Sequence, residues 1–214
     1  MPARNGDLHG NAPDSSAAAL VLVDVINDLE FEGGGELLRH ALPAAERIAA
    51  LKARAREAGV PVIYANDNFG RWRSDFREVV EHCLRDDVRG RPVARLLRPD
   101  AEDYFVLKPK HSAFFATTLD TLLQYLGTRH LILAGIAGDV CVLFTASDAY
   151  MRDLHLHVPA DCTASISDEE NRRALAYMER VLGADTTPSA ELDLAALAAR
   201  TEDSPKAGAG GARE

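Results

Sequence analysis

The 214-residue chain is 47% apolar, enough to bury one large α/β core and too little for two comfortable ones. Its 33 acidic against 24 basic residues give a formal charge of −9, which argues against nucleic acid and anionic membrane as partners, because both need clustered positive charge. No apolar run reaches the roughly 20 residues of a membrane span; the first residues lack a signal-peptide core, and Cys83, Cys141 and Cys162 form no disulfide framework, so a cytoplasmic protein acting on a small molecule is expected.

Residues 1–16 are rich in Gly, Asn, Pro, Asp and Ser without periodicity, which predicts a mobile leader. The apolar run Ala19 to Val23 reads as a buried strand that stops at Asp24, and Gly33-Gly34-Gly35 as a flexible turn. A helix is predicted from Pro43, with Ile48, Leu51, Ala55 and Ala58 recurring at three and four, to a stop at Gly59. A second strand, Val62 to Ala65, ends at Asn66; the polar and aromatic loop NDNFGRWRSDF precedes a helix from Phe76 to Leu84. Arg85 to Asp103 reads as an irregular surface excursion with one helical turn near Val93 to Leu97.

The third strand, Tyr104 to Leu107, ends at Lys108, and a helix with Phe115, Leu119, Leu122 and Leu126 on one face runs to Gly127. Leu131 to Gly135 has the length of a strand buried on both faces. Gly135 and Gly138 mark the bend after it, and Asp139 is placed to cap the next helix, which puts Cys141 in the first turn, where free N–H groups and the helix dipole favour a thiolate. Cys141 is therefore read either as a nucleophile or as a small apolar side chain packed under a sheet. A fifth strand, Leu154 to Val158, follows, then a helix opened by the capping-box pair Ser167 and Glu170 and closed by Gly183. A sixth strand at Ala184 to Thr187 and a helix from Ala190 to Arg200 complete a domain over 17–200, and 201–214 reads as a disordered tail.

Alternating strands and helices predict an α/β fold of three layers, α/β/α, with a parallel sheet of about six strands in the order 3-2-1-4-5-6. Sites in such sheets lie at the carboxyl ends of strands, where Asp24, Asn66 with Asp67, Lys108 and Cys141 converge on one rim. Singly, Asp24 could cap a turn and Lys108 could be a solvated loop residue. Together a carboxylate, an ammonium and a thiol are what acyl transfer through a thioester needs.

On LVDVINDLEF, VLKPKHSAF and GIAGDVCV, the chain resembles the isochorismatase-like cysteine hydrolases, the superfamily that includes nicotinamidases and N-carbamoylsarcosine amidohydrolases, over roughly Ala18 to Leu182. The resemblance implies a Rossmann-like isochorismatase fold and a catalytic set of Asp24, Lys108 and Cys141. It also implies a cis peptide between Ile136 and Ala137, with an oxyanion hole made by the Ala137 and Cys141 N–H groups. Asp24 would take the thiol proton, pass it to the departing nitrogen and later activate water, with Lys108 holding the pair electrostatically. Homo-oligomers, dimers or tetramers, are expected from the same resemblance.

Departures from the family pattern shape the remaining expectations. Nicotinamidases carry a metal-binding Asp-x-His after strand two; here Asp67-Asn68-Phe69 occupies that place, so neither metal nor other cofactor is expected. The family's frequent Gln after the catalytic aspartate is Ile26, removing a polar contact, and its common Thr in the nucleophile loop is Gly138, leaving less side chain in the pocket wall. Asp67, Asn68, Phe69, Trp72 and Ile136 are the candidate substrate contacts, an acidic and aromatic set suited to a polar or cationic ligand, although Trp72 would equally serve an interface or the core. Small ureido or carboxamide compounds come first among substrates, a streptothricin-type lactam is the more specific alternative, and isochorismate does not call for the thiol. His155 and His157 share a strand face and read as ordinary strand residues, since no third metal ligand is evident. Two other classes are a docking module, which should have lost one of Asp24, Lys108 and Cys141, and a redox sensor pairing Cys141 with Cys162.

Overall fold

The structure, a computed structural model, describes residues 15–69, 75–85 and 87–199. The apolar runs read as strands become a parallel sheet covered on both faces. β1 (Ala18–Val23) is wholly buried, and its side chains divide by parity: Ala18, Leu20 and Leu22 enter one core, Ala19, Val21 and Val23 the other. It lies between β2 (Val62–Asp67) and β4 (His130–Ile136); β3 (Tyr104–Lys108) pairs with β2, and β5 (His155–His157) with β4. The order β3-β2-β1-β4-β5 reverses direction between β1 and β4, the switch point at which open α/β sheets place their sites.

The sixth strand differs in place from the expected one. Ala184 to Thr187 contribute only an isolated parallel bridge, Asp185 to His157, whereas β6 (Thr163–Ala164) pairs with the carboxyl half of β4 at Gly135 and Ile136. Pro159 explains the exchange. It has no N–H to continue the ladder after β5, so the chain leaves the sheet and returns beside β4 after five intervening residues.

One core is sealed by α1 (Gly34–Glu57), α2 (Phe76–Arg85), α3 (Arg91–Leu96) and α7 (Leu194–Ala198); the other by α4 (Leu119–Leu126), α5 (Leu143–Tyr150) and α6 (Asp168–Leu182). α1 begins at Gly34 instead of Pro43: Gly33 adopts a left-handed φ of 82°, and buried Leu37 and Ala41 extend the apolar stripe far enough to absorb a proline inside the helix. α4 starts later than its periodicity suggests, because Ala116 is left-handed at φ 52° and the Thr117 hydroxyl bonds locally to Ala113 O and Leu119 N. Ser167 caps α6 and pairs with Glu170, its Oγ accepting the Glu170 N–H at 3.2 Å and donating to the Glu170 carboxylate at 3.0 Å. α7 is shorter than read, since Asp193 caps it and Ser189–Glu191 is a separate 3₁₀ turn.

The expected leader and tail lie almost wholly outside the described residues. Among the described residues no helix is long and apolar enough to cross a membrane.

Candidate active site

Parallel register decides which side chains meet at the rim. Val23 pairs with both Ala65 and Gly135, and Asp67 pairs with Lys108, so β1, β2 and β3 end nearly level. Lys108 follows Val106 on one face of β3 and is fully buried, so its ammonium must find acceptors or lose several kcal/mol, by about the usual penalty for a buried ion. It finds three: Asp24 Oδ2 at 2.7 Å, the Lys110 carbonyl at 3.2 Å and Cys141 Sγ at 3.5 Å. Asp24, 5% exposed, leaves β1 with a left-handed φ of 52°; its second oxygen accepts the Asp67 N–H at 2.7 Å. The Asp67 carboxylate stands 3.8 Å from Lys108 and accepts the Phe69 N–H at 2.6 Å.

Cys141 arrives from the other side of the switch point. After β4 the Ile136–Ala137 peptide is cis, and the chain makes one wide π-helical turn, Gly138–Val142, before α5 begins. The expected cap at Asp139 is replaced: Ala137 precedes the helix, its carbonyl accepts from Val140 and Val142, both at 3.1 Å, and the Asp139 N–H donates to Ser165 Oγ at 3.1 Å. Gly138 does not thin the pocket wall as expected. A Cβ there would lie 2.2 Å from Asn171 Oδ1, so α6 already fills that space.

The electrostatics depart from the expectation of a ready thiolate. Burial pushes the Cys141 thiol up to about 12, and the adjacent Asp24 carboxylate adds to this, together outweighing the Lys108 ammonium. Burial also raises Asp24 above the ordinary carboxylate range, with Lys108 and the hydrogen bond from the thiol pulling the other way. Burial, the largest single effect, would lower Lys108, but the charge and hydrogen bond of Asp24 together with the charges of Cys141 and Asp67 outweigh it and hold the side chain as ammonium. The resting arrangement is a thiol hydrogen-bonded to a carboxylate whose proton affinity is enhanced, with a cation bonded to both.

Of the candidate substrate contacts, Asp67 is at the rim beside Lys108 and Phe69 is exposed with a left-handed φ of 52°. Asn68 is buried, its N–H donating to the Lys108 carbonyl at 3.2 Å, and Ile136 is buried against the α1 side of the sheet. Trp72 lies outside the described residues. Ile26 is a core residue whose carbonyl accepts Asn66 Nδ2 at 2.5 Å. The sequence reading missed His111, whose Nδ1 lies 3.8 Å from Cys141 Sγ. Its signal was its place between Lys108 and Ser112.

The expected strand histidines acquire a companion: His130 Nδ1 is 3.2 Å from His157 Nε2, and its ring stacks on His155 at 5.0 Å. Even so, among the described residues no group of three or more His, Cys, Asp or Glu could hold a metal ion. After β2, Asp67 is followed by a buried amide and an apolar ring, and residues 70–74 contain none of those four residue types, so this rim does not fit the metal that nicotinamidases use. Cys83 and Cys162 are buried free thiols; Cys162 packs in the core under α1, whereas Cys141 packs against the opposite core.

Known proteins resemble the chain over most of its length. The isochorismatase family YaaI protein of Bacillus subtilis strain 168 is 44% identical over 174 residues, covering 81% of this chain and 95% of that protein. The ureidoacrylate amidohydrolase RutB of Methylorubrum extorquens strain AM1 is 31% identical over 178 residues, 70% of this chain and 71% of its own. The crystal structure of N-carbamoylsarcosine amidase from Thermoplasma acidophilum superposes with a TM-score of 0.64 at 29% identity, covering 82% of this chain and 98% of that one. Since residues 18–191 also match the profile of the Isochorismatase domain, the chain belongs to the isochorismatase family.

Proposed function

We propose that this protein is a metal-independent cysteine hydrolase that cleaves the C–N bond of a small amide, ureido or lactam compound through a thioester on Cys141. The observation that carries this is the buried Lys108 ammonium, bonded to Asp24 at 2.7 Å and to Cys141 Sγ at 3.5 Å. Asp24 takes the thiol proton as sulfur attacks the carbonyl, which suits a thiol pushed up to about 12 beside a carboxylate raised by burial: transfer is local, and the thiolate exists only as the bond forms. The Ala137 and Cys141 N–H groups hold the oxyanion, and Asp24 returns its proton to the departing nitrogen. Water then hydrolyses the thioester. Lys108 offsets the negative charge as it passes between Asp24 and the sulfur. Asp67 and Phe69, with Asn68, Trp72 and Ile136, select the substrate, the Asp67 carboxylate favouring a ligand rich in N–H donors. The amidohydrolase names of the relatives support the reaction class.

All three residues of the set are retained, which speaks against a docking module that has lost catalysis. The two thiols of the redox alternative pack in opposite cores, which speaks against a Cys141–Cys162 bridge. Three free cysteines fit a reducing compartment, and we place the enzyme in the cytoplasm as a homo-oligomer.

The test is a turnover screen with EDTA present, reading ammonia from amides and ureido acids and the mass gain of one water from lactams. Turnover that survives EDTA and disappears in Cys141→Ala is expected. Turnover that survives Cys141→Ala, or is lost to EDTA, refutes the proposal.

A further inference from the structure

The loop after β3 brings a fourth titratable side chain to the sulfur, and it comes from the solvent side. His111 is exposed, its Nδ1 is 3.8 Å from Cys141 Sγ, and its ring packs at a tilt on Phe144 of α5 with centroids 5.5 Å apart. The backbone is fastened on both sides of it. The Lys110 carbonyl accepts from Lys108 at 3.2 Å, buried Ser112 donates to the Asp148 carboxylate, and the Ala113 N–H donates to Thr145 Oγ1 at 3.0 Å. Thr145 in turn donates to the Cys141 carbonyl at 2.7 Å, so the imidazole is positioned by the same helix that carries the nucleophile.

Asp24 is differently placed. One of its oxygens accepts the Asp67 N–H and the other the Lys108 ammonium, and it is almost wholly enclosed. Around the sulfur, among the described residues, Asp24 and Lys108 lie on the buried side with Asp67 beyond them; His111 lies on the exposed side, with Lys110 next to it in the chain and Asp148 behind Ser112. Water that hydrolyses a thioester on Cys141 enters from the exposed side.

We propose that His111 is the base of the second half-reaction, taking the proton of the attacking water while Asp24 serves the first. This rests on the hydrolase function proposed above. The water oxygen bonds to the thioester carbon as its proton passes to the imidazole. The tetrahedral intermediate then re-forms its carbonyl, the C–S bond breaks with its electron pair on sulfur, and the imidazolium returns the proton to sulfur. Carboxylic acid and free thiol result, with no other reactant.

The test uses p-nitrophenyl acetate as acyl donor and measures, by acid quench and peptide mass spectrometry, the fraction of Cys141 acetylated in the steady state. His111→Gln and His111→Phe, the second keeping a ring against Phe144, are compared with the native enzyme. Deacetylation is expected to slow about 100-fold in both variants, the usual worth of a general base, with acetyl-Cys141 accumulating. Unchanged occupancy and rate in both variants overturn the role of His111 alone. Absence of acetyl on Cys141 in every protein, with hydrolysis persisting in Cys141→Ala, overturns the nucleophile and His111 together.

Discussion

Lys108 Nζ and Asp24 Oδ2 are 2.7 Å apart at the ends of two strands that are not neighbours, and neither side chain has appreciable contact with solvent. Such a pair gains little over an apolar pair of the same volume, but breaking it leaves an isolated charge in the core. Lys108→Met is therefore expected to lower stability by about 3 to 5 kcal/mol. Adding Asp24→Asn should recover part of that loss, because no unpaired charge remains. Urea unfolding of the two single variants and the double variant measures the coupling; additive losses would show that the ion pair is not what holds these strand ends.

Asp24 raises the Cys141 thiol, so its removal should make the sulfur more reactive toward a simple alkylating agent while destroying catalysis. With the carboxylate gone, burial alone opposes the Lys108 ammonium and the thiolate fraction rises. Iodoacetamide is expected to modify Cys141 faster in Asp24→Asn than in the native protein at pH 8, with hydrolysis lost. Slower alkylation in the variant would contradict the assigned direction.

The histidine cluster at the amino end of the sheet gives stability a pH dependence of definite sign. Burial lowers His130 below its ordinary 6.5, helped by His157 and His155, and burial lowers His157 although the Asp185 carboxylate opposes it. The unfolded chain then binds protons before the folded one does, so their stabilising contribution is complete above about pH 6.5 and is lost as pH falls from there through the depressed folded values. The melting temperature should drop between pH 7 and pH 5.5, and His130→Asn should flatten that drop. An equal slope in the variant would remove the cluster from the cause.

Gly135 adopts a φ of 130°, and a Cβ there would lie 2.1 Å from the Val23 carbonyl oxygen on the paired strand. Gly135→Ala should force β1 and β4 apart at the point where one carries Asp24 and the other leads to Cys141. A loss of about 3 kcal/mol is expected, together with a fall in kcat greater than stability alone accounts for. A soluble, native-like variant with full activity would mean that the strand spacing is not critical to the site.

The architecture was legible because the signals that produce it are local. Val23, Ala65 and Gly135 end apolar runs that can only be buried strands, and Ser167 with Glu170 announces a helix through bonds made within one turn. Elements whose limits depend on distant partners were misjudged. α1 extends back to Gly34 because the sheet offers its apolar stripe a surface, and β6 exists because the edge of β4 is vacant after Pro159.

The site divides in the same way. Residue types and their order along the chain were enough to nominate Asp24, Lys108 and Cys141, since chemistry restricts which groups an acyl transfer can use. Their protonation was not legible: a helix start and a nearby lysine suggested a thiolate, whereas burial and the Asp24 charge together reverse the sign. Nor was the placement of His111, whose imidazole comes within 3.8 Å of the sulfur across a loop. Sequence determined the alternation of strands and helices and the kinds of groups at the strand ends, because these follow from periodicity and composition along the chain. Distances, solvent exclusion and the balance of charge around the sulfur were decided only by the tertiary structure, because electrostatic energy depends on separation and on the dielectric that the packed chain creates.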